Sequence, residues 1–221
     1  YIRQDLSEEA IRLVRIVLKL LDKHESDTAE TQGLLALMLL HDSRRLTRED
    51  ETGLFIPLEF QQRNRWDRAK ISEGTTLVEL ALKQQRLGPY QLQAAISALH
   101  ATAITWAQTD WAQIEALYGL LYAMHPTPVV QLNRALAHSY AKSPKSALLI
   151  LEGIETAGDL AAYQPFYLAK ADLLLRDQQS DEAKLNFSIA LELTKNSQES
   201  TFIQNKIDAL NESGNSKHLL H

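Results

Sequence analysis

The chain has 221 residues, of which 45% are hydrophobic and 23% are charged, and these are the proportions of an ordinary globular protein. Its formal net charge of −5 excludes binding to nucleic acid through overall positive charge, and the absence of cysteine excludes disulfides, thiolate metal sites and a cysteine nucleophile. No apolar run approaches the roughly 18 to 20 residues of a membrane span, and no signal peptide is visible, so we expect a cytoplasmic protein without membrane contact.

The N-terminal part of the chain is predicted to be helical, with one irregular segment. Apolar residues recur at helical spacing from Ile11 to Leu21. Residues 34–40 are apolar nearly all round, which predicts a helix at the centre of the core. Residues 48–60 then include Gly53 and Pro57, which predicts a turn or a small β-hairpin.

Start signals predict the next two helices. A third helix begins at Asn64 or Asp67, and a fourth begins at Pro89, directly after Gly88. Gly74 falls inside the third helix, where glycine costs about 1 kcal/mol relative to alanine. We therefore expect close packing against that glycine.

The C-terminal part continues as a series of short helices. Polar caps at Asp110, Thr127 and Ser143 each begin a helix, and the last of these three is predicted to close at Gly153. Three more helices are expected over residues 165–177, 180–193 and 199–210. The fold class is therefore all-α.

The last helices carry a repeat pattern. Ala171, Ala183 and Phe187 match the tetratricopeptide scheme, in which small residues let two helices of a hairpin approach closely. Ala147 and Ala183 lie 36 positions apart, close to the period of about 34 residues for this repeat. Such stacks offer a concave face to protein ligands. The alternative is a non-repetitive bundle that uses alanine where its helices cross closely.

These patterns divide the chain into three regions. Residues 1–106 form an N-terminal helical bundle with the loop or hairpin insertion, and residues 107–211 form the tetratricopeptide-like stack. We expect these two regions to pack as one unit. Residues 212–221 are polar and are expected to be a disordered tail.

Two charged clusters bracket the irregular segment. The first contains His41, Asp42, Arg44 and Arg45, and the second contains Gln61, Arg63, Arg65, Trp66 and Asp67. Arginine suits planar, bidentate pairing with carboxylates or phosphates. Three interpretations stay open: internal salt bridges, docking on an acidic protein surface, and binding of an anionic ligand.

No constellation of catalytic or metal-ligating residues is found. His41 and Asp42 are adjacent on a helix and point about 100° apart, so they do not form a dyad. No histidine spacing places two metal ligands on one helical face, and no glycine-rich phosphate loop is present. The sequence predicts no catalytic residue, cofactor or metal. His100 is interpreted as a hydrogen-bonded structural histidine, and Trp106 and Trp111 as anchors of a loop.

An ordered series of motifs resembles one protein family. The motifs are LLALMLLHDSRR, LEFQQRNRWDRAKISEG, GPYQLQAAISALHA, TDWAQIEALY, PTPVVQLNRALA and AKADLLLR. They resemble the C-terminal extension of bacterial extracytoplasmic-function-type RNA polymerase sigma factors that end in tetratricopeptide-like repeats, over residues 6–210. The chain departs from that family at Ser43, where alanine is usual, and at Phe60 and Gln62, where the family has two acids. Without those acids, a metal or catalytic role for that run is disfavoured.

The resemblance implies a regulatory appendage. Promoter-reading and polymerase-binding sigma regions would lie N-terminal to Tyr1, so no direct DNA contact is expected from this chain. Its partners would be those sigma regions, RNA polymerase or a regulatory protein, and Arg44, Arg45, Arg63 and Trp66 would be the docking residues. The alternative is a sensor of an anionic small molecule, with a polar pocket between the N-terminal helices and the repeats. In that pocket the ligand would be held by Arg44, Arg45, Gln91 and Gln93.

The candidate interaction or pocket residues share polar or aromatic side chains within the motifs. They are His41, Asp42, Arg44, Arg45, Gln61, Arg63, Trp66, Asp67, Gln91, Gln93, His100, Trp111, Asn133 and Arg134.

Overall fold

The computed structural model describes the backbone of residues 4–51 and 53–218 and the side chains of residues 5–51 and 53–212. Within these ranges the protein has ten α-helices and no strand, so the predicted all-α class is confirmed. The helices are α1 Gln4–Lys23, α2 Ala29–Asp42, α3 Arg68–Lys83, α4 Pro89–Thr102, α5 Trp111–Met124, α6 Pro128–Ala141, α7 Pro144–Ala157, α8 Gln164–Arg176, α9 Ser180–Leu193 and α10 Ser197–His218. None of these described helices is long and apolar enough to span a bilayer.

The chain divides into two structural units, Tyr1–Pro126 and Thr127–His221. The first contains α1 to α5 and the second contains α6 to α10. The division follows Pro126, whereas the sequence pattern placed a boundary after residue 106. The predicted tail at 212–221 falls partly within α10, which continues to His218, and partly on residues 219–221, which lie outside the described residues.

Side-chain caps explain where several helices begin. Asp67 accepts hydrogen bonds from the backbone N–H groups of Ala69 and Lys70 at the start of α3. Asp110, Thr127 and Ser143 cap α5, α6 and α7 in the same way. Each such cap typically contributes about 0.5 to 2 kcal/mol. The predicted starts of these four helices are confirmed.

Helix α2 lies at the centre of the first unit, because two glycines let other helices approach closely. A Cβ atom added at Gly33 would lie 2.7 Å from the backbone N of Gln91 in α4. One added at Gly74 in α3 would lie 2.8 Å from Cγ of Leu40. The expected close packing at Gly74 is confirmed, and Leu40 is almost fully buried between the helices.

The predicted β-hairpin is reduced to one antiparallel bridge, between Glu49 and Phe55. The backbone N–H of Ile56 still donates to the carbonyl of Arg48 over 2.7 Å. Pro57 follows at once and has no N–H to extend a ladder, so no strand forms in the described residues. The chain instead enters short 3₁₀ helices at Leu58–Phe60 and Arg63–Arg65.

The second unit is built from helical hairpins. Ala171 of α8 and Ala183 and Phe187 of α9 are buried, as the repeat pattern predicts. Helix α7 does not close at Gly153, because one interior glycine costs only about 1 kcal/mol and the buried Ile154 follows it. The helix ends at Gly158, whose φ of 76° is the left-handed conformation typical of a helix stop.

Candidate functional site

The two charged clusters of the sequence meet at the C-terminal end of α2. The N–H of Asp67 donates to the carbonyl of Ser43 over 2.8 Å. Beside it, Nε1 of Trp66 donates to Oγ1 of Thr47 over 2.9 Å, and both side chains are buried. These contacts close the irregular segment back onto α2. They place Trp66 beneath the surface rather than on it.

Asp42 is held by the first unit itself. Its carboxylate is buried and accepts hydrogen bonds from Ser7 Oγ at 3.0 Å and Lys70 Nζ at 2.5 Å. Burial opposes ionisation of this group, but the hydrogen bonds from Lys70 and Ser7 prevail and lower the pKa of Asp42. Arg45 Nη1 lies 3.9 Å from the same carboxylate and 3.5 Å from Glu8. Asp42 and Arg45 are therefore engaged in internal ion pairs, and Asp42 is bonded to Ser7 and Lys70 rather than to His41.

Two arginines neutralise the C-terminal ends of helices. Arg48 Nη2 donates to the carbonyl of His41 at the end of α2 over 3.2 Å. Arg63 Nη1 donates to the carbonyls of His100 and Ala103 at the end of α4, the second over 3.0 Å. Helix C-termini carry partial negative charge, so these cations are favourably placed. The guanidinium of Arg63 also lies 4.9 Å from the ring centroid of Trp66, in a cation–π contact.

Arg44 completes a group that we call the arginine–histidine cluster: Arg44, Arg48 and Arg63 with His41 and His100. Burial, together with the charges of Arg48 and Arg63, lowers the pKa of Arg44 to about 10. Burial and the charges of Arg63 and Arg44 lower the pKa of His100 to about 4. His41 keeps an exposed edge, yet desolvation and the charges of Arg44 and Arg48 lower its pKa to about 4. Both imidazoles are therefore neutral at pH 7.

His100 is held by aromatic packing. Its ring stacks on Trp106 with centroids 6.0 Å apart and meets the edge of Trp111 at 5.2 Å. The two tryptophans contact each other edge to face at 4.6 Å. Nδ1 of His100 is buried and has no hydrogen-bond partner among the described residues. The structural role predicted for His100 rests on these rings and not on a hydrogen bond to Nδ1.

The predicted glutamines do not join the arginine–histidine cluster. Gln91 is fully buried at the start of α4, where Nε2 donates to the carbonyl of Arg86 over 2.6 Å. Gln93 bonds the carbonyl of Pro89. Gln91 and His100 are nine positions apart, which corresponds to about 13 Å along the helix, so these glutamines lie near the opposite end of α4.

The remaining predicted residues occupy two other places. Gln61 is buried and donates to the carbonyl of Ile56 over 2.9 Å, which fixes the turn before Arg63. Asn133 and Arg134 are half-buried on α6 of the second unit, where Nε of Arg134 is buried without a hydrogen-bond partner in the described chain.

An open cleft of about 430 Å³ is formed by residues of the irregular segment. It is lined by Leu46, Thr47, Glu49, Asp50, Glu51, Ile56, Phe60, Gln62 and Arg65. Residues from both ends of the segment meet in this cleft, which the sequence pattern did not reveal because its formation depends on the bridge at Glu49. The cleft does not include Arg44, Arg48 or Arg63.

Helix α1 presents a second surface that the sequence interpretation missed. Ile11, Val14 and Leu18 pack towards α2. The opposite side carries the exposed α1 stripe, which consists of Leu6, Leu13, Ile16, Val17 and Leu20, each 41–56% exposed. The seven-residue spacing of Leu6, Leu13 and Leu20 was the available signal.

Among the described residues, no group of three histidine, aspartate or glutamate side chains is arranged to hold a metal ion. The polar groups of the site make two kinds of contact instead. Asp42 is paired internally, while the arginine–histidine cluster carries positive charge close to the surface.

The chain is similar to one curated protein and to one protein family, and neither has an assigned activity. The chain is 39% identical over 206 residues to the "Uncharacterized protein R00370" of Rhizobium meliloti (strain 1021). That match covers 93% of this chain and 47% of the relative, so the chain spans about half the length of that protein. No solved structure matches the chain. Residues 1–82, which include α1, α2 and most of the arginine–histidine cluster, match a family of unknown function (DUF6596).

Proposed function

We propose that the chain is a non-catalytic interaction domain that regulates transcription initiation from within a longer, sigma-factor-type protein. In this proposal the domain packs against the sigma regions and changes how they engage promoter and polymerase. The observation that carries the proposal is the exposed α1 stripe.

Helix α1 has two apolar sides, and the described residues of the chain cover one of them. Ile11 is buried against α2, whereas Leu6 and Leu20 on the other side are 56% and 53% exposed. Burying one large apolar side chain is worth about 1.5 to 3 kcal/mol. A row of five such side chains on one helix is typical of a surface that another protein segment covers.

The resemblance in the motif series supports the identity of that segment. It implies sigma regions that precede α1 in the chain, and consecutive elements of a chain usually lie next to each other. The matched relative is about twice as long as this chain, which leaves room for such regions in a protein of that length. The exposed α1 stripe is the first surface that they would meet.

The contacts at the end of α2 favour binding over chemistry. Asp42 is bonded to Ser7 and Lys70, and Arg63 is bonded to backbone carbonyls. These groups hold α1, α2, α3 and α4 in place.

The test is promoter-directed transcription by the full-length protein with purified RNA polymerase. We expect the double substitution Leu13→Glu and Val17→Glu to change transcript yield at least fivefold, because it places two charges in the exposed α1 stripe. The matched control is the double substitution Leu149→Glu and Leu185→Glu, since these two side chains are 64% and 63% exposed in the second unit. Equal transcript yield from the wild type and the folded double variant would refute the proposal.

A further inference from the structure

We propose that the arginine–histidine cluster is a binding site for a phosphate group, with the half-buried Arg44 as one of its ligands. The proposal does not depend on the exposed α1 stripe or on the identity of the longer protein.

The arginine–histidine cluster carries an excess of positive charge. No ion pair joins the guanidinium groups of Arg44, Arg48 or Arg63 to a carboxylate within the described residues, although the chain as a whole is acidic. The carboxylate that faces them, Asp42, is paired with Lys70 and lies near Arg45. The charge of Asp42 also acts on Arg48, but it is shared with Lys70 and Arg45. The cations of this region therefore outnumber the carboxylate beside them.

The arginine–histidine cluster also contains buried hydrogen-bond donors that have no acceptor among the described residues. Arg63 is only 8% exposed, yet its Nη2 has no hydrogen-bond partner in the described chain. Nε of Arg48 is also buried and has no hydrogen-bond partner among the described residues. Buried polar groups are normally satisfied, and an unpaired donor on a charged group is costly. A bound oxyanion would supply the missing acceptors.

Access to the site comes through Arg44 and His41. Arg44 is half-buried, and no hydrogen bond or ion pair holds its guanidinium among the described residues. His41 has an exposed edge beside Arg48 Nη2, which lies 3.4 Å from His41 Nδ1. A planar guanidinium that is free to pair matches two oxygens of a phosphate.

The helix ends do not prevent this binding. The carbonyl groups at the ends of α2 and α4 would repel an anion if they were bare. Arg48 already bonds the carbonyl of His41, and Arg63 bonds those of His100 and Ala103. These cations screen the helix ends, and each arginine still has a nitrogen without a hydrogen-bond partner in the described chain, Nε of Arg48 and Nη2 of Arg63.

The amount of charge favours phosphate over a carboxylate. Both imidazoles are neutral, so the cluster presents three guanidinium charges. A carboxylate supplies one negative charge, whereas a phosphate monoester supplies about 1.5 to 2 at pH 7 and offers three acceptor oxygens. The charge of a phosphate group therefore matches the positive charge of the three guanidinium groups more closely than the charge of a carboxylate does.

The test is calorimetric titration of the full chain at constant ionic strength, with inorganic phosphate, a simple phosphate monoester and acetate as separate probes. We expect phosphate or the monoester to bind at least tenfold more tightly than acetate, and the tighter of the two identifies the source of the group. Arg44→Gln should weaken that binding at least tenfold. Arg65→Gln is the matched control, because Arg65 is exposed on the same segment and outside the cluster.

Three results would overturn the proposal. One is the absence of measurable binding by both inorganic phosphate and the monoester, and another is an equal loss of binding in the two variants. The third is acetate binding as tightly as phosphate, which would indicate docking of a carboxylate from a protein partner. None of these results bears on the transcription test, so the two proposals fail separately.

Discussion

Trp66 Nε1 donates a hydrogen bond to Thr47 Oγ1 over 2.9 Å, and the two residues are 19 positions apart in the chain. Both side chains are almost fully buried. This contact closes the irregular segment, so that Arg44 and Arg48 come to lie beside Arg63. A tryptophan that resembles a docking residue in the sequence therefore serves to build the site from within.

Removing this hydrogen bond should destabilise the first unit moderately. We expect Thr47→Val to lower the free energy of unfolding by about 1 to 3 kcal/mol, because it leaves the buried indole N–H without an acceptor. Trp66→Phe removes the donor as well as part of the ring. Urea unfolding of both single variants and the double variant measures the coupling between the two sites. Strictly additive effects would show that the contact contributes nothing of its own.

Gly74 and Gly153 form a matched pair inside helices. We expect Gly74→Ala to destabilise the protein by about 1 to 3 kcal/mol, because the new methyl group would lie 2.8 Å from Leu40 Cγ. Nothing lies within 4 Å of a Cβ at Gly153, so Gly153→Ala should stabilise by about 0.4 to 1 kcal/mol through helix propensity and a less flexible unfolded chain. Chemical denaturation of the two variants checks this difference in sign. A change in the free energy of unfolding with the same sign in both variants would contradict the close approach of α2 and α3.

The sequence was sufficient wherever the determining interactions are local. The caps at Asp67, Asp110, Thr127 and Ser143 act within three residues, so the starts of their helices could be predicted. The end of α7 could not be predicted in this way, because a glycine such as Gly153 ends a helix only if no residue after it packs into the core. Ile154 is buried in the core of the second unit, and that contact overrides the local preference.

The candidate site was only partly predictable. The charge pattern indicated that the residues around Arg44 and Arg63 belong together, and the structure places them together. The charge pattern could not show that Arg63 is buried, because the guanidinium of Arg63 donates to the carbonyl of His100, which is 37 positions away. The sequence also did not predict that Gln91 lies away from Arg44, because the acceptor of Gln91 is the backbone carbonyl of Arg86. Long-range backbone acceptors leave no periodic signal in a sequence.

The neutral His100 should make the protein less stable in mild acid. Its pKa is about 4 in the folded chain, whereas an unperturbed histidine titrates at 6.5. Between these values the unfolded chain binds the additional proton, so stability falls as the pH decreases from about 6.5 to 4. His100→Phe keeps an aromatic ring beside Trp106 and Trp111 and removes the titration. Unfolding at several pH values should therefore show a shallower decline in this variant.

The same histidine reports on Arg44. Because the positive charge of Arg44 contributes to the lowered pKa of His100, we expect Arg44→Gln to raise that pKa. Histidine ring NMR signals followed against pH measure the shift directly. Arg65→Gln should leave the His100 titration where it is, since Arg65 is exposed to solvent and does not belong to the arginine–histidine cluster. An unchanged pKa in Arg44→Gln would mean that burial and the charge of Arg63 account for the neutral imidazole without Arg44.

Arg176 ties α8 to α6 in the second unit, and only an arginine can make all of its contacts. Its guanidinium lies 3.8 Å from the ring centroid of Tyr140, while Nη1 and Nη2 donate to Oγ and the carbonyl of Ser139 at 2.8 and 3.0 Å. Lysine keeps the charge but lacks the planar pair of donors. We therefore expect Arg176→Lys to lower the free energy of unfolding by about 1 to 2 kcal/mol. Tyr140→Phe, which keeps the ring beneath the cation, should preserve the cation–π contact, and a loss in that variant as large as in Arg176→Lys would indicate that the tyrosine hydroxyl, rather than the guanidinium, holds the two helices together.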